Sequence, residues 1–146
     1  MPNMDNIIDE SFDPEFDKIE NLTWYPWIGV EYPKGMRRVL IVGDSHYAVD
    51  DKGNFDQECY DDFMLTKKMT RYIVERYLKG ETWNFYQNLE NTFLDSSGFW
   101  SKIAFYNFIQ HPMKQNNAIP DEQEYLIAWR CFVDLVTVSY THLTLP

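Results

Sequence analysis

The stretch Arg37-Arg38-Val39-Leu40-Ile41-Val42-Gly43-Asp44-Ser45-His46-Tyr47 constrains the fold more than any other part of this 146-residue chain. Four consecutive aliphatic side chains, three of them β-branched, favour an extended backbone. A run with no polar alternation fits a strand buried on both faces, as in the centre of a parallel sheet. A strand is therefore predicted over residues 38–42. Gly43 lets the chain turn sharply at the C-terminal edge of that strand, where a side chain would obstruct a close-approaching ligand. In open α/β sheets this edge is where ligands bind. Asp44, Ser45, His46 and Tyr47 thus form a candidate site offering a carboxylate, a hydroxyl, an imidazole and a phenol.

The rest of the chain sets the frame for that strand. Its length fits a single domain, and a composition 45% hydrophobic and 17% aromatic can fill a core. No stretch approaches the ~20 apolar residues of a membrane span. Residues 1–20 are acidic and lack a basic-then-apolar signal pattern, so a cytoplasmic location is expected. Cys59 and Cys131 have no partners at metal-ligand spacing, so zinc and iron–sulfur sites are unsupported and no cofactor is called for. Both read as reduced thiols.

The net charge of −10 is uneven: residues 1–35 hold Asp5, Asp9, Glu10, Asp13, Glu15, Asp17, Glu20 and Glu31 against Lys18 and Lys34. An acidic total disfavours tight non-specific nucleic-acid binding, less so if the N-terminal segment is a detachable arm. No signal of oligomeric state is legible.

Along the chain, residues 1–23 read as an acidic N-terminal arm or a marginal first helix. The aromatic-rich stretch around Pro26 reads as a loop that packs Trp24 or Trp27 onto the domain. Residues 48–62 read as a polar loop. Thr66 is a good N-cap for a helix over 67–79, with Met69, Ile73 and Tyr77 as its buried stripe and Lys67, Lys68 and Arg71 on a solvated face. A second helix is predicted over 83–94, and Ser96-Ser97-Gly98 breaks it. A second buried strand is predicted over 102–106, with Asn107 at its end. His111-Pro112 then opens a polar loop. Pro120-Asp-Glu-Gln-Glu starts a last helix, with Pro in the first turn and acids at the positive dipole end, and Tyr125, Trp129, Phe132 and Val136 as its stripe. The order strand, helix, helix, strand, helix implies an α/β domain. The expected fold class is a three-layer α/β domain with a central parallel sheet, incomplete at the C-terminus, over residues 24–137.

Residues 138–146 match, residue for residue, the translation of a transposase mosaic-end adaptor. They are expected to be library sequence, with the biological sequence running out near Thr137. His142 then belongs to no site, which leaves His46 and His111.

Two resemblances follow from these motifs. Gly43-Asp44-Ser45 after a strand resembles the first block of the SGNH (GDSL) hydrolases, in which Ser45 would be the nucleophile of an acyl transfer. No Gly-x-Asn-Asp block follows it. The longer pattern is Val-Leu-Ile-Val-Gly-Asp-Ser-His-Tyr, a strand ending Phe-Tyr-Asn107-Phe-x-Gln, a polar loop, and a helix opened by Ile-Pro-Asp-Glu-Gln-Glu. Over residues 24–137 this order resembles the uracil-DNA glycosylase superfamily, closest to a poorly characterised bacterial branch. The resemblance implies that Gly43 to Tyr47 is the water-activating motif. Asp44 falls on its acidic second position, Ser45 on a position that is aspartate in the main uracil-excising family, and Tyr47 on the aromatic that blocks the thymine methyl. Asn107 falls on the asparagine that reads the uracil edge. His46 stands where proline is usual, and the four cluster cysteines of the thermostable branch are missing.

The chemistry agrees with that assignment. N-glycosidic cleavage passes through an oxocarbenium-like state that a carboxylate such as Asp44 stabilises while orienting water. The Asn107 amide can donate to and accept from a flipped pyrimidine at once. The expectation is therefore base excision from single-stranded or mismatched DNA by the full-length protein, without a metal, and poor catalysis by the chain as given, because the histidine motif that the resemblance implies for stabilising the departing base would lie beyond Thr137. Asp44, Ser45 and His46 are the catalytic candidates, and Gly43, Tyr47 and Asn107 bind the base. A Ser45 esterase and a non-catalytic nucleic-acid- or nucleotide-binding module are the alternatives.

Overall fold

A computed structural model describes residues 7–93 and 98–144, the last five of these by their backbone only. The elements are α1 (Asp13–Phe16), β1 (Trp27–Ile28), β2 (Leu40–Gly43), α2 (Gln57–Leu65), α3 (Met69–Leu78), α4 (Asn84–Thr92), α5 (Phe99–Lys102), β3 (Ala104–Asn107) and α6 (Glu122–Thr144), with a 3-10 turn at Tyr32–Lys34. The α/β class expected from the sequence is observed.

The three strands form one sheet in the order β1-β3-β2. β2 and β3 lie side by side and parallel, with Leu40 opposite Ala104 and Gly43 opposite Asn107. β1 pairs antiparallel to the other side of β3, Trp27 opposite Phe105. The sheet is thus small and mixed, which corrects the expected central parallel sheet. The segment around Pro26, predicted as a loop, supplies the third strand, and Trp24 and Trp27 are both fully buried.

β3 takes the centre because Ala104, Phe105 and Tyr106 present apolar side chains to both faces, and all four residues, Asn107 included, are buried. Alternation sends Ala104 and Tyr106 to one side and Phe105 to the other. The first pair packs with Phe16, Ile19, Cys131 and Leu135, bringing α1 and α6 onto that face. Phe105 packs with Val74, Tyr86, Phe99 and Trp100 from α3, α4 and α5. β2 has a neighbour on one side alone among the described residues, and Val42 is 44% exposed. The aliphatic run therefore marks an edge strand here, not the doubly buried strand its composition predicts.

Residues 48–62 contain most of a helix. α2 is capped by Asp56, whose carboxylate accepts from the Cys59 amide at 3.1 Å. Thr66 closes α2 rather than opening α3, its hydroxyl donating to the Asp62 carbonyl at 2.8 Å. α6 begins at Glu122, two residues past Pro120. Its start is a reciprocal box in which Asp121 N–H donates to Glu124 Oε2 at 2.7 Å and Glu124 N–H to Asp121 Oδ1 at 2.8 Å. The face of α6 that packs is Ala128, Cys131 and Leu135, while Tyr125, Trp129 and Val136 of the predicted stripe stay exposed. α6 runs unbroken across Thr137 and Val138. Ser96 and Ser97 lie outside the described residues.

The described part of the N-terminal segment is docked onto the domain. Ile8 bridges Gly29 in antiparallel fashion, and Phe16 is buried under α6. Its acids meet the cations of α3 and the turn before it: Lys67 pairs with Asp17 at 2.8 Å, Lys68 with Glu10 at 3.1 Å, and Arg71 with Asp13 at 2.6 Å. Arg71 is 2% exposed, holds both Asp13 oxygens, and donates to the Pro26 carbonyl at 3.0 Å. That burial corrects the solvated position expected for it.

Candidate functional site at the ends of two parallel strands

Beyond their last residues β2 and β3 stay zipped. The amides of Phe108 and Ile109 donate to the carbonyls of Gly43 and Asp44, each at 2.9 Å, and the Met113 amide donates to the His46 carbonyl at 2.8 Å. Ser45 adds its hydroxyl to this seam, where it approaches the carbonyls of Ile109 at 3.1 Å and His111 at 2.7 Å. Segments 43–48 and 107–113 are thus one unit, and the residues singled out in the sequence are gathered on it.

Asn107 lies directly across from Gly43. A Cβ built on Gly43 would stand 2.5 Å from Asn107 Oδ1 and 3.0 Å from the Phe105 ring. Glycine at 43 is therefore what admits the carboxamide over the strand end. Asn107 is 4% exposed, and its Nδ2 lies 3.2 Å from His46 Nε2. Among the described residues no hydrogen bond reaches its Oδ1. Asp44 is exposed at the same end, and the Tyr47 hydroxyl donates to its Oδ2 at 2.8 Å. Burial, then that carboxylate, push the Tyr47 phenol up to about 12, so it is a fixed donor.

His46, a catalytic candidate from the sequence, sits behind this surface instead of on it. It is 7% exposed, stacked on Phe63 and edge-on to Trp24 at ring separations of 5.4 and 4.6 Å. Its Nε2 also lies 2.9 Å from the Thr70 hydroxyl of α3. Burial holds its pKa down to about 4, so the ring is neutral at physiological pH. No pairing of Ser45 Oγ with an imidazole is observed among the described residues. Its partners are main-chain carbonyls, and the His111 ring instead approaches Glu124 at 2.9 Å. A serine whose proton is held by carbonyls lacks the base that would activate it.

Two clefts lie elsewhere and are lined by other residues. One of about 450 Å³ lies between Tyr32, Arg38, Leu40 and Val136, and one of about 470 Å³ between Tyr60, His111, Lys114 and Glu124. Among the described residues no three His, Cys, Asp or Glu side chains are grouped to hold a metal ion, and no helix is long and apolar enough to cross a membrane.

Sequence reasoning missed Thr70 and Gln110. Gln110 accepts the Thr23 and Trp24 amides at 2.9 and 2.8 Å and donates to the Asn107 carbonyl at 2.6 Å, tying the Trp24 segment to the end of β3. Its place in Phe-Tyr-Asn-Phe-x-Gln was the available signal. Thr70 had none, because its partner is 24 residues away and carries no shared motif. Comparison with protein families, characterised proteins and solved structures finds no match to this chain.

Proposed function

We propose that this chain handles a flipped nucleobase in the manner of a uracil-DNA glycosylase, with Asp44, Tyr47 and Asn107 as the working groups. The observation that carries the reading is the register of β2 on β3. It sets the Asn107 amide beside a glycine, one residue from an exposed carboxylate, at the C-terminal end of two parallel strands, the kind of edge where open α/β sheets bind ligands. Asn107 pairs with the edge of the base. Asp44 orients a water toward the anomeric carbon and stabilises the positive charge that develops on the sugar as the N-glycosidic bond breaks and its electron pair leaves with the base. Tyr47 holds Asp44 through its hydroxyl. Ser45 staples the seam, and His46 acts from behind the surface.

The charge of −10 is consistent with a narrow substrate range, since non-specific attraction to phosphates is weak. Single-stranded or mismatched DNA, where flipping costs least, is the expected substrate. The test is release of uracil from such DNA by the wild type, Asp44→Asn and Asn107→Ala, with Ser45→Ala assayed on an ester substrate. Asp44→Asn should lower release by orders of magnitude with little change in binding, because it removes charge from the transition state and keeps the shape. Asn107→Ala should weaken discrimination among bases. Ester cleavage that depends on Ser45, without base release, would instead identify an acyl-transfer enzyme. Base binding with no release and no effect of Asp44→Asn would identify a binding module.

A further inference from the structure

We infer that the free edge of β2 is a homodimer interface, in which two copies of this chain pair their β2 strands antiparallel about a two-fold axis at Ile41, join their sheets into one, and set Asp44 against the partner's Arg38. The interface does not depend on the nucleobase reading, although it brings a cation of one copy to the strand-end site of the other.

The backbone fixes which groups the edge offers. The carbonyls of Val39 and Gly43 accept from the amides of Ala104 and Phe108 at 3.0 and 2.9 Å, so they point toward β3. Backbone direction alternates along a strand, which turns the N–H and C=O groups of Leu40 and Val42 to the opposite edge. Among the described residues no strand pairs with that edge. Edges that are meant to stay bare are blunted by charge or proline. From Leu40 to Val42 this one carries neither, and Val42 is 44% exposed. Such an edge is a template for a further strand.

A second copy is the occupant because the edge complements itself. Two-fold pairing uses the same patch on both copies. Centred on Leu40, it would set Asp44 opposite the partner's Met36, and centred on Val42, opposite the partner's Leu40. Centred on Ile41, it sets Asp44 opposite the partner's Arg38, and this register alone of the three joins opposite charges. Arg38 is short of acceptors: Nη2 donates to the Pro33 carbonyl at 3.2 Å, and Nε has no partner among the described residues. Asp44 is exposed, and Tyr47 bonds its Oδ2 and leaves Oδ1. In the same register Leu40 and Val42 exchange hydrogen bonds with the partner's Val42 and Leu40, and the two Ile41 residues meet as the close, non-hydrogen-bonded pair.

The axis stands perpendicular to the sheet, so both copies carry α6 on one side. The flank of α6 beside this edge is apolar and uncovered. Val136, 36% exposed, lines a cleft with Leu40 and Arg38, and Trp129, 55% exposed, lies against Phe108 just past the end of β3. Two strand edges with two such flanks put the interface near the low end of the ~1,200–2,000 Å² buried in stable complexes, so the dimer should be weak.

Sedimentation velocity of the whole chain from about 1 to 100 μM, the range a small interface calls for, should show monomer giving way to dimer. Val42→Lys adds a charge to the edge and should abolish the dimer. Arg38→Asp and Asp44→Arg should each weaken it by about tenfold or more, since the two-fold axis repeats every clash, and the double variant should return to within a few-fold of wild type. Circular dichroism shows whether each variant keeps the wild-type fold, and rescue in the double variant is not expected of simple unfolding. The register has its own test in a Cys59→Ser background. Ile41→Cys should give a covalent dimer under oxidised glutathione, because the two side chains face each other, and Val42→Cys should not. A chain that stays monomeric at every concentration overturns the interface, and so do open-ended assemblies in place of a dimer. A dimer that survives Val42→Lys, or charge reversals without rescue, overturns it as well, and failure of Ile41→Cys to cross-link overturns the pairing about Ile41.

Discussion

At position 43 a methyl group would meet the side-chain oxygen Oδ1 of Asn107 at 2.5 Å and the Phe105 ring at 3.0 Å. Neither neighbour has room to retreat, since Phe105 is 1% exposed in the core and Asn107 is tied through Nδ2 to His46. Gly43→Ala should therefore cost ~1–3 kcal/mol, the usual range for overpacking, and urea unfolding would read it. The same variant should shift the His46 ring resonances, because the displaced carboxamide is their partner. His46 makes a second prediction, about pH. Burial lowers its pKa from 6.5 to about 4, so between those values the unfolded chain binds a proton that the folded one refuses. The contribution of His46 to stability is thus fully present above about pH 6.5 and is lost as the pH falls toward 4, at up to ~1.4 kcal/mol per unit. Urea midpoints at pH 7.5 and 5 should differ in the wild type by more than in His46→Phe. Equal differences would mean that His46 does not carry the dependence.

Elements were legible where the local signal had one solution. Gly43, with aliphatics before it and polar residues after it, marks a strand end, and β2 ends there. Asn107 closes β3 as its position after Phe105-Tyr106 implies, and the pairing of the two strand ends needed no more than an α/β reading. Signals with two solutions went the other way. α6 is apolar on more than one side, and periodicity alone does not choose between Trp129 and Cys131. The smaller Cys131 lets the helix approach Tyr106, Ala128 lets it approach Ile109 and Met113, and packing selects them. α2 was hidden because its acids mask the helical period, although Asp56 is an N-cap of the usual kind. Arg71 looked solvated because nothing near it in sequence announces a partner. Its ligands are Asp13, 58 residues away, and the carbonyl of Pro26. The same limit applied to His46. A histidine after Gly-Asp-Ser reads as an acid–base group until Trp24, Phe63 and Thr70, from three other parts of the chain, are seen to enclose it.

For the molecule as a whole, the consequential feature is what the acidic N-terminal segment does. As a free arm it would be a solvated chain with a charge to shed. Docked, it places Phe16 and Ile19 in the core beneath α6 and sets Glu10, Asp13 and Asp17 against Lys68, Arg71 and Lys67. The two contributions differ in weight. The lysine pairs are exposed and worth little each. Burial of the two apolar side chains is worth roughly 1.5–3 kcal/mol apiece. Arg71 matters for a different reason, because without Asp13 its guanidinium is a buried charge lacking its counterion, a loss on the order of 3 kcal/mol or more. A chain lacking residues 1–20 should therefore lose most of the ~5–15 kcal/mol that holds a domain of this kind folded. It should unfold at a much lower temperature by circular dichroism and aggregate through the uncovered face of Tyr106 and Leu135. Restoring the acids alone, by supplying the segment with Phe16→Ser and Ile19→Ser, should recover the part carried by Asp13 on Arg71 and leave the part carried by the two apolar side chains lost. The complementary change, Asp17→Asn, which weakens only the exposed pair with Lys67, should leave the melting temperature nearly unmoved while making the chain less acidic. An unchanged melting temperature in the shortened chain would show that the segment is an appendage and that its contacts with α3 and α6 carry no weight in the fold.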